Sequence, residues 1–309
     1  MASNFKREIK DFSELEKQLK NNAFLQIIDS DLLQTGRALL AFRKDVATVY
    51  HKGRQLCTMQ RKLKNEPMYT PTIYNHYLPI IRTQTLNKSK AKANCSEAQY
   101  LSENKGNHAF VSVLPEILDN LEKEVDDEAF QVSAFYRFSP LIKQNNTTVV
   151  LLDIEAAFAE TGEKTDRIDM VLYHTVKRQL IFVEVKRLSD KRLYVTSGNG
   201  EAEIIEQMKR YKKRITDEND TIKEQYDRVI EYYNQLSGKN LQPIRDGEHL
   251  LGLLVVECSE VECFDRDHAS AAFRDLCANL AANDIKMHTY GQAKNATPGT
   301  LLSIYNTFK

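Results

Sequence analysis

Arg167-Ile168-Asp169-Met170-Val171-Leu172-Tyr173 and Leu180-Ile181-Phe182-Val183-Glu184-Val185-Lys186-Arg187 decide how the chain is read. Both are apolar runs of strand length, rich in β-branched residues, in which charge enters at only a few points. His174-Thr175-Val176-Lys177-Arg178-Gln179 between them supplies a turn, so the runs are expected as adjacent antiparallel strands. Side chains alternate across a strand, which puts Glu184 and Lys186 on one face and Val183 and Val185 on the other. In such a hairpin Asp169 and Glu184 approach each other across the ladder. Two neighbouring carboxylates repel unless a cation lies between them, and hard oxygen donors favour Mg²⁺ or Mn²⁺ over zinc or copper. Lys186 adds an ammonium two residues on, suited to position a water or to offset charge developing on a phosphate.

This pattern resembles the PD-(D/E)xK nuclease superfamily, the restriction-endonuclease-like fold. There a metal-binding Asp begins one strand and a Glu-x-Lys lies on the next. Ile168 stands here where the family has Pro. The resemblance implies Asp169 and Glu184 as metal ligands and Lys186 as the catalytic lysine. Asp166 is a nearby alternative for the Asp; the apolar strand that follows Asp169 directly favours Asp169.

Glu201 to Arg214 reads as a helix: good helix formers, no Gly or Pro, acids early and bases late. Ser197-Gly198-Asn199-Gly200 is expected as the loop before it. Gln207 and Tyr211 lie four apart on one helix face, with Glu203 a turn earlier. They resemble the Gln-xxx-Tyr motif of the RecB-like branch of the superfamily, which implies a place beside the active site and contact with nucleic acid. The plainer account of the same residues is a hairpin with solvated charges beside an ordinary surface helix.

The segments around this core agree with an α/β fold. Val149 to Ala156 reads as a strand, Leu250 to Cys258 as a strand buried on both faces, His268 to Asn283 as a helix and Lys286 to Tyr290 as a short strand. The order predicts a meander of three strands followed by a parallel portion. The expectation is a restriction-endonuclease-like mixed sheet flanked by helices over residues 96–309. Asp153 and Glu155 share a strand face, where they either join the metal site or are solvated. The resemblance also implies an acid from a helix before the first strand. Glu103, on a helix entering the domain, is preferred to Glu116 as this further metal ligand.

Residues 1–95 are expected to form a basic, mainly helical accessory module. Phe12 to Leu19 is amphipathic. Asp31 to Gln60 carries Leu32, Leu33, Leu39, Leu40, Phe42, Val46 and Val49. Breaks are expected around Pro67, Pro71 and Pro79, an exposed linker over Asn87 to Cys95, then helix from Ser96 and, after a break near Pro115, through Glu124.

The chain has 309 residues, 42% apolar and 28% charged, and reads as globular and soluble. No transmembrane run or signal peptide is visible, so a cytoplasmic protein is expected. Cys57, Cys95, Cys258, Cys263 and Cys277 are scattered without zinc-site spacing and read as reduced. The net charge is zero but unevenly spread. Residues 1–105 hold 18 Lys+Arg against 10 Asp+Glu, and the rest 25 against 33, an asymmetry suited to holding a phosphate backbone. Arg54, Arg61, Lys62 and Lys64 cluster; Lys88, Lys90 and Lys92 read as a solvated linker. Lys209, Arg210, Lys212, Lys213 and Arg214 lie nearest the site, with Lys209, Arg210 and Lys213 expected on phosphates. The expected function is a Mg²⁺- or Mn²⁺-dependent nuclease acting on nucleic acid, DNA favoured over RNA, in defence against foreign DNA or in repair. A nuclease-fold protein that binds nucleic acid without cutting, or an interaction protein, are the alternatives. A second copy of the chain or a partner ATPase or helicase is a further expected partner, and a membrane is not.

Overall fold

The computed structural model describes residues 5–61, 68–79, 94–103, 109–123, 127–158, 166–195, 201–257 and 271–309, without the side chains of Ser102, Glu103 and Asp127. Two compact units are formed: Arg7–Arg137 with Leu141–Lys143, and Met1–Lys6 with Phe138–Pro140 and Gln144–Lys309.

The first unit opens with α1 (Phe12–Asn21), capped by the Asp11 carboxylate, which accepts from Glu14 N–H, and α2 (Ala23–Ile28), capped by Asn22. An antiparallel sheet then runs in chain order through β1 (Ala38–Arg43), β2 (Val46–His51), β3 (Arg54–Gln60), β4 (Pro71–Tyr74) and β5 (Asn94–Ser96). Helices α3 (Glu97–Glu103), α4 (Phe110–Glu122) and α5 (Asp127–Ser133) follow.

The expectation of a mainly helical N-terminal module is therefore corrected: most of Asp31–Gln60 is sheet. Leu39, Leu40 and Phe42 are buried as one continuous run, and such a run has no period by which to separate strand from helix. The deciding signals are local. Lys52 and Gly53 both take positive φ, 47° and 79°, as a two-residue type I′ hairpin turn requires. Val46, Thr48, Val49 and Tyr50 give β2 its β-branched and aromatic bias. Pro71 begins a strand instead of breaking a helix, and Pro115 lies inside α4 without ending it. The boundary expected at 95/96 is also corrected. Ile73 pairs with Cys95 and Thr72 with Ser96, so a cut there divides β5; the units part near residue 143. Lys62, Lys64, Lys88, Lys90, Lys92, Cys258 and Cys263 lie outside the described residues, as does the Ser197–Gly200 loop.

The second unit is the expected mixed α/β sheet. Strands β6 (Val149–Phe158), β7 (Asp166–His174) and β8 (Gln179–Arg187) form an antiparallel meander. Helices α6 (Glu203–Asp217) and α7 (Asn219–Ser237) lead to β9 (Leu250–Val256), parallel to β8. Then α8 (Ala271–Ala282) leads to β10 (Lys286–Thr289), parallel to β9, and α9 (Pro298–Phe308) follows. The order across the sheet is β10-β9-β8-β7-β6. Helices α7 and α9 were not expected. Helix α7 buries Tyr226, Val229, Ile230 and Tyr233. Its Tyr226 hydroxyl donates to Asp153 Oδ2 at 2.9 Å and its Tyr233 hydroxyl to the Leu152 carbonyl at 3.1 Å. Leu152 sits where the β6–β7 register shifts, so α7 supplies a partner for a carbonyl that the bulge displaces. Gly252, the one break in the apolar run of β9, is needed because a Cβ there would lie 2.4 Å from the Phe308 ring. Among the described residues no helix is long and apolar enough to cross a membrane.

Candidate active site

The ladder between β7 and β8 runs from His174 and Gln179 to Met170 and Val183, and stops. One step further, Asp169 would stand opposite Glu184. There its Oδ2 accepts the Val185 N–H at 2.7 Å, a carboxylate taking the place of a backbone acceptor where the strands part. Glu184 and Lys186 are both 1% exposed. The Lys186 ammonium donates to Glu184 Oε1 at 2.5 Å and to the Val185 carbonyl at 3.1 Å.

From α6, Gln207 Nε2 donates to the same Glu184 Oε1 at 2.8 Å and to the Tyr211 hydroxyl at 2.6 Å. The Tyr211 hydroxyl donates in turn to the Arg167 carbonyl. Their spacing of four brings both side chains to one face, as expected. That face turns inward: Tyr211 is buried, and both residues are bonded to the site itself.

The register adds a third carboxylate. Ile154 pairs with Met170 and Ala156 with Ile168, so Glu155 falls opposite Asp169. By extension of the register Glu155, Asp169 and Glu184 fall in one row across three strands, with Glu155 at a positive φ of 48° that interrupts the regular strand. In the next row toward the opening, Ala157 pairs with Arg167, and Lys186 follows on β8. Burial raises the Asp169 pKa above the ordinary carboxylate value; the Lys186 ammonium and the Val185 N–H oppose this, and Glu155 adds to it. The Tyr211 phenol is pushed far up, by burial first and by the charge of Glu184 second.

The other expected residues of this unit have partners of their own. Asp166 is bound by Arg214 Nε at 2.9 Å and Arg210 at 3.5 Å. Asp153 is buried rather than solvated and accepts from the Tyr226 hydroxyl and the Ile154 N–H. Glu103 and Glu116 belong to helices of the first unit, and the side chain of Glu103 lies outside the described residues. Each base of the α6 run meets an acid: Lys209 with Glu201 at 2.7 Å, Arg210 and Arg214 with Asp166, Lys212 with Asp284 at 3.1 Å, and Lys213 with Asp217. His174, the first residue of the expected turn, is buried edge-on against Tyr305, and its Nδ1 accepts the Lys177 N–H. Burial lowers its pKa.

Among the described residues no group of three or more His, Cys, Asp and Glu is arranged to hold a metal ion. The pair Asp169 and Glu184 nevertheless suits one kind of ion. Mg²⁺ takes one or two protein carboxylates and completes its octahedron with water and substrate phosphate, whereas structural zinc needs four N or S ligands. The donor set here is oxygen alone. Glu155 and Arg167 are the residues that sequence reasoning left out of this group or left undecided; alternation along β7 is the signal that carries Arg167, whereas Glu155 is placed only by the β6–β7 register. Compared with models of protein families, with curated proteins and with solved structures, the chain matches none.

Proposed function

We propose that the chain is a metal-dependent nuclease of the PD-(D/E)xK type that hydrolyses phosphodiester bonds, of DNA in preference to RNA. The observation that carries this reading is the meeting of Asp169 with Glu184 at the point where β7 and β8 part, with the Lys186 ammonium on Glu184. The mixed sheet and the helix that bonds Gln207 to Glu184 support the restriction-endonuclease-like fold.

Asp169 and Glu184 would hold Mg²⁺ or Mn²⁺ through carboxylate oxygens. Bound there, the ion would supply Lewis acidity toward a phosphoryl oxygen and a water more easily deprotonated than in bulk. Gln207 fixes the Glu184 carboxylate through its amide N–H, and Tyr211 fixes Gln207. Lys186 brings a fixed positive charge to the place where negative charge grows on phosphorus-bound oxygens, in surroundings where burial strengthens it. Lys209, Arg210 and Lys213 are themselves exposed in their ion pairs, where solvent screens the attraction, so they can exchange their acids for phosphates. By analogy of motif alone, the role is defence against foreign DNA or repair, in the cytoplasm, with a second copy or an ATPase or helicase as partner.

The test incubates wild type and Asp169→Ala with circular and linear duplex DNA, single-stranded DNA and RNA, in Mg²⁺, Mn²⁺ or EDTA. Metal-dependent cleavage by the wild type that disappears in the variant is expected. Binding without cleavage under every condition would move the protein to the non-cutting alternative. Wild type that neither cuts nor takes up Mn²⁺ in calorimetry would overturn the proposal.

A further inference from the structure

The bases of α6, read from sequence as the phosphate contacts, are all engaged with acids in the structure. Arg187 and Arg192, which flank the end of β8, are engaged as well, with Glu257 and Asp190. Arg167 differs. It lies on β7 two residues before Asp169, so both side chains leave the strand on the same face. It is exposed, and among the described residues its guanidinium forms no ion pair.

Its backbone is nonetheless fixed from two sides. Arg167 pairs with Ala157 on β6, and its carbonyl accepts the hydroxyl of buried Tyr211. The base of the side chain is therefore held by the same hydrogen-bond chain that orients Glu184, while the guanidinium is left to solvent. The neighbour across the ladder is only an alanine, which leaves room beside it.

Charge explains what belongs there. The row of Glu155, Asp169 and Glu184 repels a phosphate. Arg167 and Lys186, one row further toward the opening, are the cations on the same sheet face. With a divalent ion held at Asp169 and Glu184, the two rows together are net positive. A guanidinium presents paired N–H donors in a plane, matched to two oxygens of one phosphate.

We propose that Arg167 binds a phosphate of the nucleic-acid strand adjoining the phosphodiester held at Asp169 and Glu184. This rests on the nuclease reading and assigns that site a substrate-contacting residue. Lys186, buried against Glu184, serves the reacting group; Arg167, exposed, serves the strand.

The experiment measures binding of fluorescent duplex and single-stranded DNA by wild type, Arg167→Met and Arg167→Lys, in Ca²⁺ and in EDTA, across a salt series. Each protein is also melted to establish that it is folded, and Lys177→Met, in the β7–β8 turn, serves as a control. Each lost phosphate contact lowers the slope of log K against log[salt] by about 0.9 for duplex and about 0.7 for single strands. That loss is expected for Arg167→Met, with affinity about tenfold lower at low salt by the same principle. Arg167→Lys should keep the slope and lose part of the affinity, because a point charge replaces the fork. A folded Arg167→Met with wild-type slope and affinity overturns the inference and leaves the nuclease reading intact. Wild type that binds no nucleic acid, with or without metal, overturns both.

Discussion

At Asp169 a half-buried carboxyl group stands between strands, in one row with Glu155 and Glu184, and its pKa is raised chiefly by lost solvation. Below the ordinary value of 3.8 the group is protonated in folded and unfolded chains alike and leaves stability unchanged. As pH rises from there the unfolded chain ionises first, so stability falls until the folded-state value is passed. Asparagine keeps an oxygen for the Val185 N–H and removes the charge. In EDTA at pH 8, Asp169→Asn should melt a few degrees above wild type, and the gap should close as pH falls toward about 4. If the pair holds a metal as proposed, Mg²⁺ should raise the melting temperature of the wild type alone. An asparagine variant that melts below wild type at pH 8 would mean that attraction to Lys186 outweighs burial. Lys186 has the opposite vulnerability. Its side chain and that of Glu184 are each 2% exposed, and deleting one member of a buried pair strands the other charge, at a cost of about 3–5 kcal/mol. Urea denaturation of Lys186→Met should show that loss. The double variant with Glu184→Leu should recover most of it while remaining inactive, since neither member of the pair is left without the other.

Helix α6 matters as an element because one of its faces wires two strands together, Glu184 on β8 and the Arg167 carbonyl on β7. Tyr211→Phe removes the hydroxyl at the centre of that chain and keeps the ring. Stability should drop by about 1 kcal/mol, the usual net value of one hydrogen bond. On the proposed metal site, Mn²⁺ affinity should fall about 10- to 100-fold, the usual loss when a residue that orients a metal ligand is removed. Calorimetry in the metal-free protein reads this without reference to catalysis; unchanged Mn²⁺ affinity would reduce Tyr211 to a packing residue. Such elements were unequally legible. Strands β6 to β9 could be read because each is a β-branched apolar run between turn signals, and Asp169, Glu184 and Lys186 stood out because charge inside such a run calls for a reason. Alternation alone also sets Glu184 and Lys186 on one face. The sheet of the first unit was obscured because Leu39, Leu40 and Arg43 are good helix formers and burial on both faces erases the period of two. The Lys52-Gly53 turn carried the information. What no local pattern supplies is register and distance. The row that joins Glu155 to Asp169 depends on pairing across a bulge, and the acids that meet the α6 bases, Asp166 and Asp284, lie far from them in sequence.

For the whole molecule, the two units are not successive along the chain. Phe5 and Lys6 belong with the second unit, whose main body begins only at Gln144. Phe5 is 1% exposed there, stacked on Phe158 at 4.9 Å and tilted against Tyr226 at 5.6 Å. Tyr226 also donates to Asp153 on β6, so Phe5 packs on the helix that steadies the strand carrying Glu155. A fragment of residues 144–309 therefore keeps every proposed catalytic group and loses a core side chain. Truncation of a buried Phe to Ala costs about 3–5 kcal/mol. Phe5→Ala in the full chain should lower the melting transition of the second unit by that loss, and the fragment should melt no higher than this variant. A fragment of residues 96–309 should fare worse, since it carries Ser96 without its partner Thr72 and α4 without the α2 side chain Phe24, which lies 5.4 Å from Phe110. If the 144–309 fragment instead melts with the wild-type transition, Phe5 contributes nothing to the second unit, and the chain could be cut there without harm to the site.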